Sequence, residues 1–252
     1  MKTIRREQIL ELIRAKKAVS LKELSQMFSG VSTMTIHRDL QELESRGLIE
    51  RVRGGARALP PRETLREPAF AERVVTSRRQ KEIVAEKARG LLRSGSAIYL
   101  DAGTTAMALA EVLTDFPLSV VTNSPNIAIA LASRSLVNVT LCGGMLNKRD
   151  LALYGSMAVS GLEKINIDLA FVAASGFSAD GGFTCGNDGE AALKRLVCRK
   201  ARSVALLMDS GKLDHALPYT FARPADIDFL VCDKALPPSL QALFSEKGVQ
   251  VL

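Results

Sequence analysis

The stretch from Val19 to Ala56 restricts the fold of this chain more than any other feature. Ser20 is followed three residues later by Glu23, the spacing of a capping box, in which a hydroxyl and a carboxylate satisfy free backbone N–H groups where a helix begins. We therefore predict a helix from Ser20. Ser29-Gly30 supplies turn residues that end this helix, and Ser32 can cap a second one. Two short helices joined by a tight turn indicate a helix-turn-helix.

The second predicted helix has one apolar face and one polar face. Ile36, Leu40 and Leu43 recur at i, i+4 and i+7, a spacing that buries one side of a helix. The opposite side then points outward, where a recognition helix contacts base edges. We predict that the residues facing a DNA groove are Ser32, Thr33, Met34, Thr35, His37, Arg38 and Gln41.

A supporting helix and a hairpin flank this pair of helices. Upstream, a first helix is predicted from the apolar residues Ile4, Ile9, Leu12 and Ile13. Downstream, the run from Leu48 to Arg53 alternates before Gly54-Gly55, as a two-stranded wing does. The wing carries the basic residues Arg51, Arg53 and Arg57, which can reach DNA phosphates or a minor groove.

The net positive charge is concentrated in the same part of the chain. Residues 1–58 carry 12 Lys and Arg against 7 Asp and Glu, residues 59–82 carry 6 against 4, and residues 83–252 carry 16 against 16. Any small helical domain with a solvated basic face has similar amphipathic helices. A basic segment joined to a neutral domain is, however, the electrostatic pattern of a DNA-binding module. We therefore expect a double-stranded DNA operator as a partner.

The run TIHRDLQELESRGLIERVRGGA resembles the N-terminal motif of the DeoR family of bacterial transcriptional regulators. That motif usually has TIRRDL, a Leu-Glu pair, a Gly-Leu and a terminal Gly-Gly-Ala. This chain departs from it in two places: His37 stands where the family mostly carries Arg, and the turn FSGVS is one residue longer than the commoner FGVS. The resemblance implies a winged helix-turn-helix but no particular operator sequence.

Length and composition allow two domains. With 252 residues, of which 47% are apolar, the chain can form one small domain and a second of about 170 residues with its own core. We predict a winged helix-turn-helix over residues 1–58, a linker over residues 59–76, and an α/β domain over residues 77–252. The linker is placed where Pro60, Pro61 and Pro68 interrupt helical continuity.

Several classes of protein do not fit the sequence. No window approaches the roughly 20 apolar residues of a membrane span, and the N-terminus has no signal-peptide pattern, so we expect a cytoplasmic protein without a membrane partner. The histidines are His37 and His215, and the cysteines are Cys142, Cys185, Cys198 and Cys232, without a C-x-x-C pair. We expect buried reduced thiols, with neither a metal site nor disulfides.

Beyond residue 77, helical and apolar stretches alternate. Helices are predicted near 78–93, 105–114, 124–133, 155–164, 188–202 and 238–247, and strands near 97–100, 118–122, 138–142, 169–174, 203–208, 229–233 and 249–252. This alternation predicts a mostly parallel sheet with helices on both faces. Ligands of such sheets bind at the carboxyl ends of the strands.

Four of these predicted strands end in small polar residues, glycines or a lysine. The first leads into a helix, whose free N–H groups and positive dipole end favour an anion. Helix capping can explain the polar residues at any one of these strand ends. As a set, the four strand ends suit a polyhydroxylated phosphate. We predict an effector pocket formed by Asp101, Gly103, Thr104, Thr105, Thr122, Asn123, Ser124, Gly143, Gly144 and Lys212.

The same residues resemble the C-terminal sensor domain of the DeoR family, whose order of motifs is D-x-G-T-T, T-N-S, G-G and D-S-x-K. Asp101 to Thr105, Thr122 to Ser124, Gly143-Gly144 and Asp209 to Lys212 follow this order. The resemblance implies a sugar-phosphate effector that relieves repression of a catabolic operon. Glu190 and Lys194 also match a family pair, although an ordinary i,i+4 salt bridge explains them equally well. The chain departs from the family at YGSMA and VAASGF.

The sensor fold resembles ribose-5-phosphate isomerase, which raises an enzymatic alternative. Isomerisation requires a carboxylate that moves a proton between adjacent carbons. The isomerase carries acids in a V-D-G-A-D run and on the next helix, where this chain has Val172-Ala173-Ala174-Ser175-Gly176 and Leu196. The nearby acids that could substitute are Asp180, Asp188 and Glu190, but loop acids are more often turn residues. We expect neither catalytic residues nor a cofactor.

The sequence therefore predicts a repressor of a carbohydrate catabolic operon, controlled by a phosphorylated sugar. The alternatives are a regulator that senses another small phosphate and a sugar-phosphate isomerase tethered to a DNA-binding domain. Because one recognition helix contacts few base pairs, we expect a homo-oligomer, either a dimer or a tetramer.

Overall fold

A computed structural model of the chain describes residues 2–16, 18–45, 49–52, 54–58 and 67–252. These residues form two compact units, Met1–Leu65 and Arg66–Leu252. Each unit has its own apolar core.

The first unit is a winged helix-turn-helix, as predicted. Its elements are α1 (Lys2–Lys16), β1 (Ala18–Ser20), α2 (Leu21–Met27), α3 (Thr33–Ser45), β2 (Ile49–Val52) and β3 (Gly55–Ala58). The capping box of Ser20 and Glu23 forms at the start of α2. The three strands are antiparallel in the order β1-β3-β2. Strand β1 was not predicted, because three residues directly before a helix are too few to show a strand period.

The buried core of this unit joins all three described helices to the sheet. It consists of Ile9, Ile13, Val19, Leu24, Ile36, Leu40, Leu43, Ile49 and Ala56. The predicted apolar face of α3 is buried, and of the apolar residues predicted in α1, Ile9 and Ile13 are buried and Leu12 is half-buried. Apolar residues at helical spacing gain free energy only when one face leaves water. The side chain of Ile4 lies outside the described residues.

The second unit alternates helices and strands. Its helices are α4 (Phe70–Val75), α5 (Arg78–Arg89), α6 (Thr104–Val112), α7 (Pro125–Leu131), α8 (Ser156–Glu163), α9 (Asp188–Lys200) and α10 (Pro238–Glu246). Its strands are β4 (Ala97–Leu100), β5 (Leu118–Thr122), β6 (Val137–Leu141), β7 (Met145–Asn147), β8 (Ala152–Tyr154), β9 (Leu169–Ala173), β10 (Gly176–Ser178), β11 (Gly182–Cys185), β12 (Ser203–Met208), β13 (Tyr219–Ala222), β14 (Phe229–Cys232) and β15 (Gln250–Val251).

Seven of these strands form one parallel sheet in the order β15-β14-β12-β9-β4-β5-β6. Alternate side chains of each strand enter opposite cores: Leu206 of β12 packs with α8, α9 and α10, whereas Leu207 packs with α5, α6 and α7. The predicted parallel sheet with helices on both faces is therefore confirmed. The chain order reverses between β4 and β9, which is where sheets of this kind bind ligands.

Two small antiparallel pieces were not predicted. Strands β7 and β8 form a hairpin, and β10, β11 and β13 form a three-stranded sheet. Each strand has only three or four residues, which is too short for its alternation to be distinguished from a loop.

Part of the predicted linker belongs instead to the second unit. We expected a linker over residues 59–76, but Glu67 is buried and α4 packs through Phe70, whose backbone N–H donates to the carbonyl of Arg149 at 2.9 Å. The linker prediction is therefore wrong from residue 67 onward, and residues 59–66 lie outside the described residues. Helix α4 has six residues, so tertiary contacts rather than its own periodicity stabilise it.

Among the residues that the structure describes, no helix has the length and apolar character needed to cross a membrane. Within the same residues no group of three or more metal-binding side chains comes together. All four cysteines are free thiols. Cys142, Cys185 and Cys232 are buried, as predicted, whereas Cys198 is half-buried.

Candidate functional site

The first unit presents the predicted DNA-contacting face of α3 to solvent. Helix α3 begins after Ser32, whose Oγ accepts a hydrogen bond from the backbone N–H of Thr35 at 3.3 Å. This bond caps the helix by satisfying one backbone N–H of its first turn. The structure places Ser32, Thr33, Met34, Arg38 and Gln41 at exposed positions, and Thr35 and His37 at half-buried ones. Their contact with DNA remains a prediction.

Asp39 is an acidic residue of α3 whose side chain is buried. Its carboxylate accepts hydrogen bonds from the Nε atoms of Arg5 at 2.6 Å and Arg6 at 2.8 Å. Burial by itself raises the pKa of Asp39, but the two guanidinium groups outweigh it and the pKa lies below its ordinary value. The ionised carboxylate therefore ties α1 to the recognition helix.

The wing carries two exposed arginines whose charges are already paired. Arg51 lies 3.8 Å from a carboxylate oxygen of Glu44, and Arg57 lies 2.7 Å from one of Glu50. Exposed pairs of this kind contribute little stability, so a DNA phosphate can replace either carboxylate at small cost. Arg53 lies outside the described residues, and its role remains a prediction.

The second unit has a narrow cavity at the carboxyl ends of its central strands. It lies where the strand order reverses, and its walls come from the segments that follow β4, β9 and β12, from α9, from the β7–β8 hairpin and from α4. The lining residues are Arg73, Asp101, Ala102, Gly103, Thr104, Asp150, Tyr154, Ala173, Ala174, Ser175, Glu190, Lys194 and Lys212.

A buried ion cluster forms one wall of the cavity. The Nζ atom of Lys194 lies 2.6 Å from Glu190 Oε1 and 3.1 Å from Asp101 Oδ2, and it donates to the carbonyl of Ala173 at 2.5 Å. Asp101 Oδ2 also accepts the backbone N–H of Ala173 at 3.0 Å. Burial raises the pKa of Glu190 to about 7, whereas the facing carboxylates hold the pKa of Lys194 well above its usual value. The Glu190–Lys194 pair is thus part of a site, not an isolated surface salt bridge.

The N-terminus of α6 opens onto the same cavity. Gly103 precedes the helix, and it lies so close to β9 that a Cβ atom there would be 2.4 Å from the Cβ of Ala173. No side chain hydrogen bond caps this end within the described residues. The N–H groups of the first turn therefore have no intrahelical acceptor, and the helix dipole favours an anion at this point.

Lysines 81 and 212 add positive charge near the cavity. Lys212 Nζ donates to the carbonyl of Ala174 at 2.8 Å and lies 3.7 Å from Asp209 Oδ2. Burial lowers the pKa of Lys212, and the carboxylates of Asp209 and Glu67 oppose that shift. Lys81 donates to the carbonyls of Arg73 and Thr76, and burial, with the nearby charge of Lys212, lowers its pKa to about 8.

Glu67 contacts two of the residues that line the cavity. Its Oε1 lies 2.6 Å from a terminal nitrogen of Arg73 and accepts the hydroxyl of Ser175 at 2.6 Å. Its backbone carbonyl accepts Nε of Arg149 at 3.0 Å. Arg73, Ser175 and the adjacent Asp150 all line the cavity. Glu67 is therefore anchored through both its side chain and its backbone.

Four of the ten predicted effector residues line this cavity: Asp101, Gly103, Thr104 and Lys212. Thr122, Asn123 and Ser124 are buried but do not line the cavity. Their side chains form hydrogen bonds with neighbouring segments instead. Ser124 Oγ accepts the N–H of Ile127 and caps α7, and Asn123 joins the hydroxyl of Tyr99 to the β7–β8 hairpin at Leu153. These residues hold the hairpin and α7 in place.

The other predicted effector residues also lie away from the cavity lining. Gly144 adopts a φ of 124°, and a Cβ there would be 2.4 Å from the carbonyl oxygen of Tyr154, so glycine is required by the backbone. Gly143 is exposed beside Met157. Thr105 is fully buried on α6, and within the described residues its hydroxyl has no hydrogen-bond partner.

The cavity also contains Arg73, Asp150, Tyr154 and Ser175, which were not predicted at a pocket, and neither was the neighbouring Glu67. Arg73 and Glu67 fall in the predicted linker, and Asp150 and Tyr154 fall in a hairpin without a visible strand period. We find no signal in the sequence that places them at the cavity. Among the acids considered for isomerisation, Glu190 lines the cavity, whereas Asp180 and Asp188 are exposed. The isomerase positions hold Ala173, which lines the cavity, and the half-buried Leu196.

Both units match known protein families. Residues 5–62 match the family described as the DeoR-like helix-turn-helix domain, and residues 76–234 match the DeoR C terminal sensor domain. These two matches cover the same two halves as the winged helix-turn-helix and the α/β unit.

Curated relatives are similar to the chain over nearly its full length. The HTH-type transcriptional regulator GlpR of Haloferax volcanii is 36% identical over 249 residues, covering 98% of this chain and 96% of that protein. The glycerol-3-phosphate regulon repressor of Escherichia coli K12 is 31% identical over 250 residues, covering 99% and 98%. Both are named as regulators, not as enzymes.

Solved structures are similar at a lower level. A ribose 5-phosphate isomerase A from Methanocaldococcus jannaschii is 18% identical, with a TM-score of 0.41 and coverage of 55% of each chain.

Proposed function

Because this chain belongs to the DeoR family of transcriptional regulators, we propose that it represses a carbohydrate catabolic operon until a phosphorylated sugar binds its second unit. The chain is a DNA-binding regulator and not an enzyme, in line with its curated relatives. The proposal concerns the effector, the direction of its effect and the residues that bind each partner.

The observation that carries the effector proposal is the charge arrangement of the cavity. The open N-terminus of α6 at Gly103-Thr104 borders the same cavity as the cationic side chains of Arg73, Lys194 and Lys212. Helix N–H groups and cations together favour a phosphate. The carboxylates of Asp101, Asp150 and Glu190 are the acceptors that sugar hydroxyls require. One cavity thus offers donors for a phosphate and acceptors for a polyol.

A thermal-shift screen tests this proposal. The purified chain is heated with a panel of sugar phosphates, each compared with the corresponding unphosphorylated sugar. A ligand present at 100 times its Kd stabilises the folded state by about 2.7 kcal/mol, which is a readily measured shift. The sugar phosphate should raise Tm and the free sugar should not. If a phosphate without a sugar stabilises the chain equally well, the effector is another small phosphate. If no phosphorylated compound raises Tm, the proposal is wrong.

On the DNA side, we propose that α3 enters a major groove and that the wing contacts the neighbouring backbone. A single helix contacts too few base pairs for a useful specificity ratio, so we propose that the chain acts on a two-fold operator as a homo-oligomer. Such a regulator acts where the chromosome is, which supports a cytoplasmic location. Light scattering of the free protein and of its operator complex tests the oligomeric state.

A further inference from the structure

The cavity is too small for the ligand that its chemistry favours. Its volume is about 10 Å³, which is room for about one water molecule. A sugar phosphate is many times larger than a water molecule, so the walls must rearrange before it can enter. The question is which wall residue moves.

A second cavity of about 170 Å³ lies next to the first. It is lined by Glu67, Asn147, Arg149, Asp150, Gly186 and Asn187. Asp150 lines both cavities, and the side chain of Glu67 reaches Arg73 and Ser175, which line the first. The carboxylate of Glu67 therefore borders the second cavity and contacts two residues that line the first.

Glu67 occupies its position as an anion. Only 8% of the residue is exposed, and burial by itself raises its pKa. Arg73, the hydroxyl of Ser175, Lys194 and Lys212 outweigh this effect and lower the pKa, so the carboxylate is ionised. The cations and the hydroxyl that hold this carboxylate belong to the set of groups that would hold a phosphate.

We propose that Glu67 is an internal competitor that occupies part of the anion site and that the effector's phosphate displaces it. This inference rests on the proposed function, because it needs an anionic effector in the first cavity. Its physical basis is that one set of cations cannot fully pair with two anions at once. Glu67 also lies two residues after Leu65, where the first unit ends. Displacement would therefore begin at the segment that follows the DNA-binding unit.

The test compares Glu67→Gln with wild type by isothermal titration calorimetry, using inorganic phosphate and the panel of sugar phosphates as probes. The amide has the shape of the carboxylate but carries no negative charge, so it does not compete with a phosphate for the cations. If the site is blocked about 90% of the time in wild type, apparent affinity should rise about tenfold in the variant. Glu67→Asp retains the charge on a shorter side chain and should give an intermediate affinity. Glu72→Gln is the matched control, because it removes an exposed charge from the neighbouring helix α4.

Each result decides the matter. Tighter binding by Glu67→Gln with unchanged binding by Glu72→Gln supports the inference, as does binding by Glu67→Gln where wild type shows none. Equal or weaker binding by both Glu67 variants, with wild type still binding a sugar phosphate, overturns the inference and leaves the proposed function intact. If no probe binds any of these proteins, the proposed function fails and the inference fails with it. Circular dichroism melting confirms that each variant is folded before titration.

Discussion

Lys194 Nζ and Asp101 Oδ2 lie 3.1 Å apart, which joins α9 to the carboxyl end of β4 through two side chains that are each 3% exposed. The ion pair spans more than ninety residues of chain and lies beside the point where the strand order reverses. It therefore connects the stability of the second unit to the geometry of its cavity.

We expect Lys194→Met to destabilise the protein strongly. The change leaves the carboxylates of Asp101 and Glu190 buried without their cation, and breaking a buried pair in this way costs about 3–5 kcal/mol. Urea unfolding measures the decrease in stability. Lys247→Met is the control, because Lys247 forms an exposed pair with Glu246 that contributes less than about 1 kcal/mol. Equal effects of the two changes would show that the buried cluster is not a stabilising unit.

Glu190 should make stability depend on pH. Burial raises its folded-state pKa from 4.5 to about 7, so the folded state binds the proton more tightly than the unfolded state does. The stability that protonation contributes is therefore present below the unfolded pKa and is lost as pH rises from about 4.5 to about 7. Glu190→Gln should lose less stability across this interval, as measured by urea unfolding at its two ends. Glu163→Gln serves as the control, because Glu163 is exposed. If the stability of Glu190→Gln fell with pH as steeply as that of the wild type, Glu190 would not be the group that titrates.

Side chains that contact DNA phosphates and side chains that contact bases should affect DNA binding differently. Arg38→Ala and Arg51→Ala should weaken binding to every sequence, and the slope of log K against log salt should become shallower by about 0.9 for each phosphate that is no longer neutralised. Thr35→Ala and His37→Ala should instead change which sequence is preferred. Fluorescence anisotropy on duplexes selected from a random library checks both. If the Thr35 and His37 variants lose affinity equally for all duplexes, the groove assignment of α3 is wrong.

Lys212→Ala should abolish the response to effector while DNA binding persists. Lys212 supplies positive charge to the cavity and belongs to the second unit, so its replacement leaves the residues of the first unit unchanged. A ligand shifts the DNA equilibrium only through its differential affinity for the two states, so a protein that cannot bind it keeps its ligand-free affinity for DNA. The measurement is a titration of operator-bound protein with the sugar phosphate found in the screen. A normal response would remove Lys212 from the effector site.

Thr105→Val should be neutral or stabilising. The Thr105 hydroxyl is buried and, as far as the described residues show, unpartnered, and an unsatisfied buried polar group costs about 1–3 kcal/mol. Valine has nearly the same shape, so thermal unfolding should show no decrease in Tm. Titration with the effector tests the alternative role of Thr105. If its hydroxyl binds the effector after the cavity rearranges, Thr105→Val should lose effector affinity.

Local spacing predicted the elements of this protein well. The capping box at Ser20 and Glu23, the apolar stripe of α3 and the seven strands of the parallel sheet all appear where the sequence placed them. The capping box depends on hydrogen bonds between residues three apart, and the apolar stripe and the apolar strand runs are patterns that a few consecutive residues show. The strands themselves pair with distant strands, but their positions can be recognised from these local runs. The elements that were missed, α4 and the short antiparallel strands, have three to six residues and take their stability from distant parts of the chain.

The sequence by itself determined which strand ends carry polar residues, but the tertiary structure decided which of those ends meet. In the order β15-β14-β12-β9-β4-β5-β6, the ends of β4, β9 and β12 border the cavity. Thr122 to Ser124 and Gly143-Gly144 instead follow β5 and β6, which lie on the other side of β4 from β9. Glu67 and Arg73 reach the cavity from a segment that the sequence assigned to a linker. Capping and periodicity act over a few residues, whereas strand order and the pairing of buried charges depend on interactions between distant parts of the chain. The elements could therefore be predicted from local spacing, and the composition of the site could not.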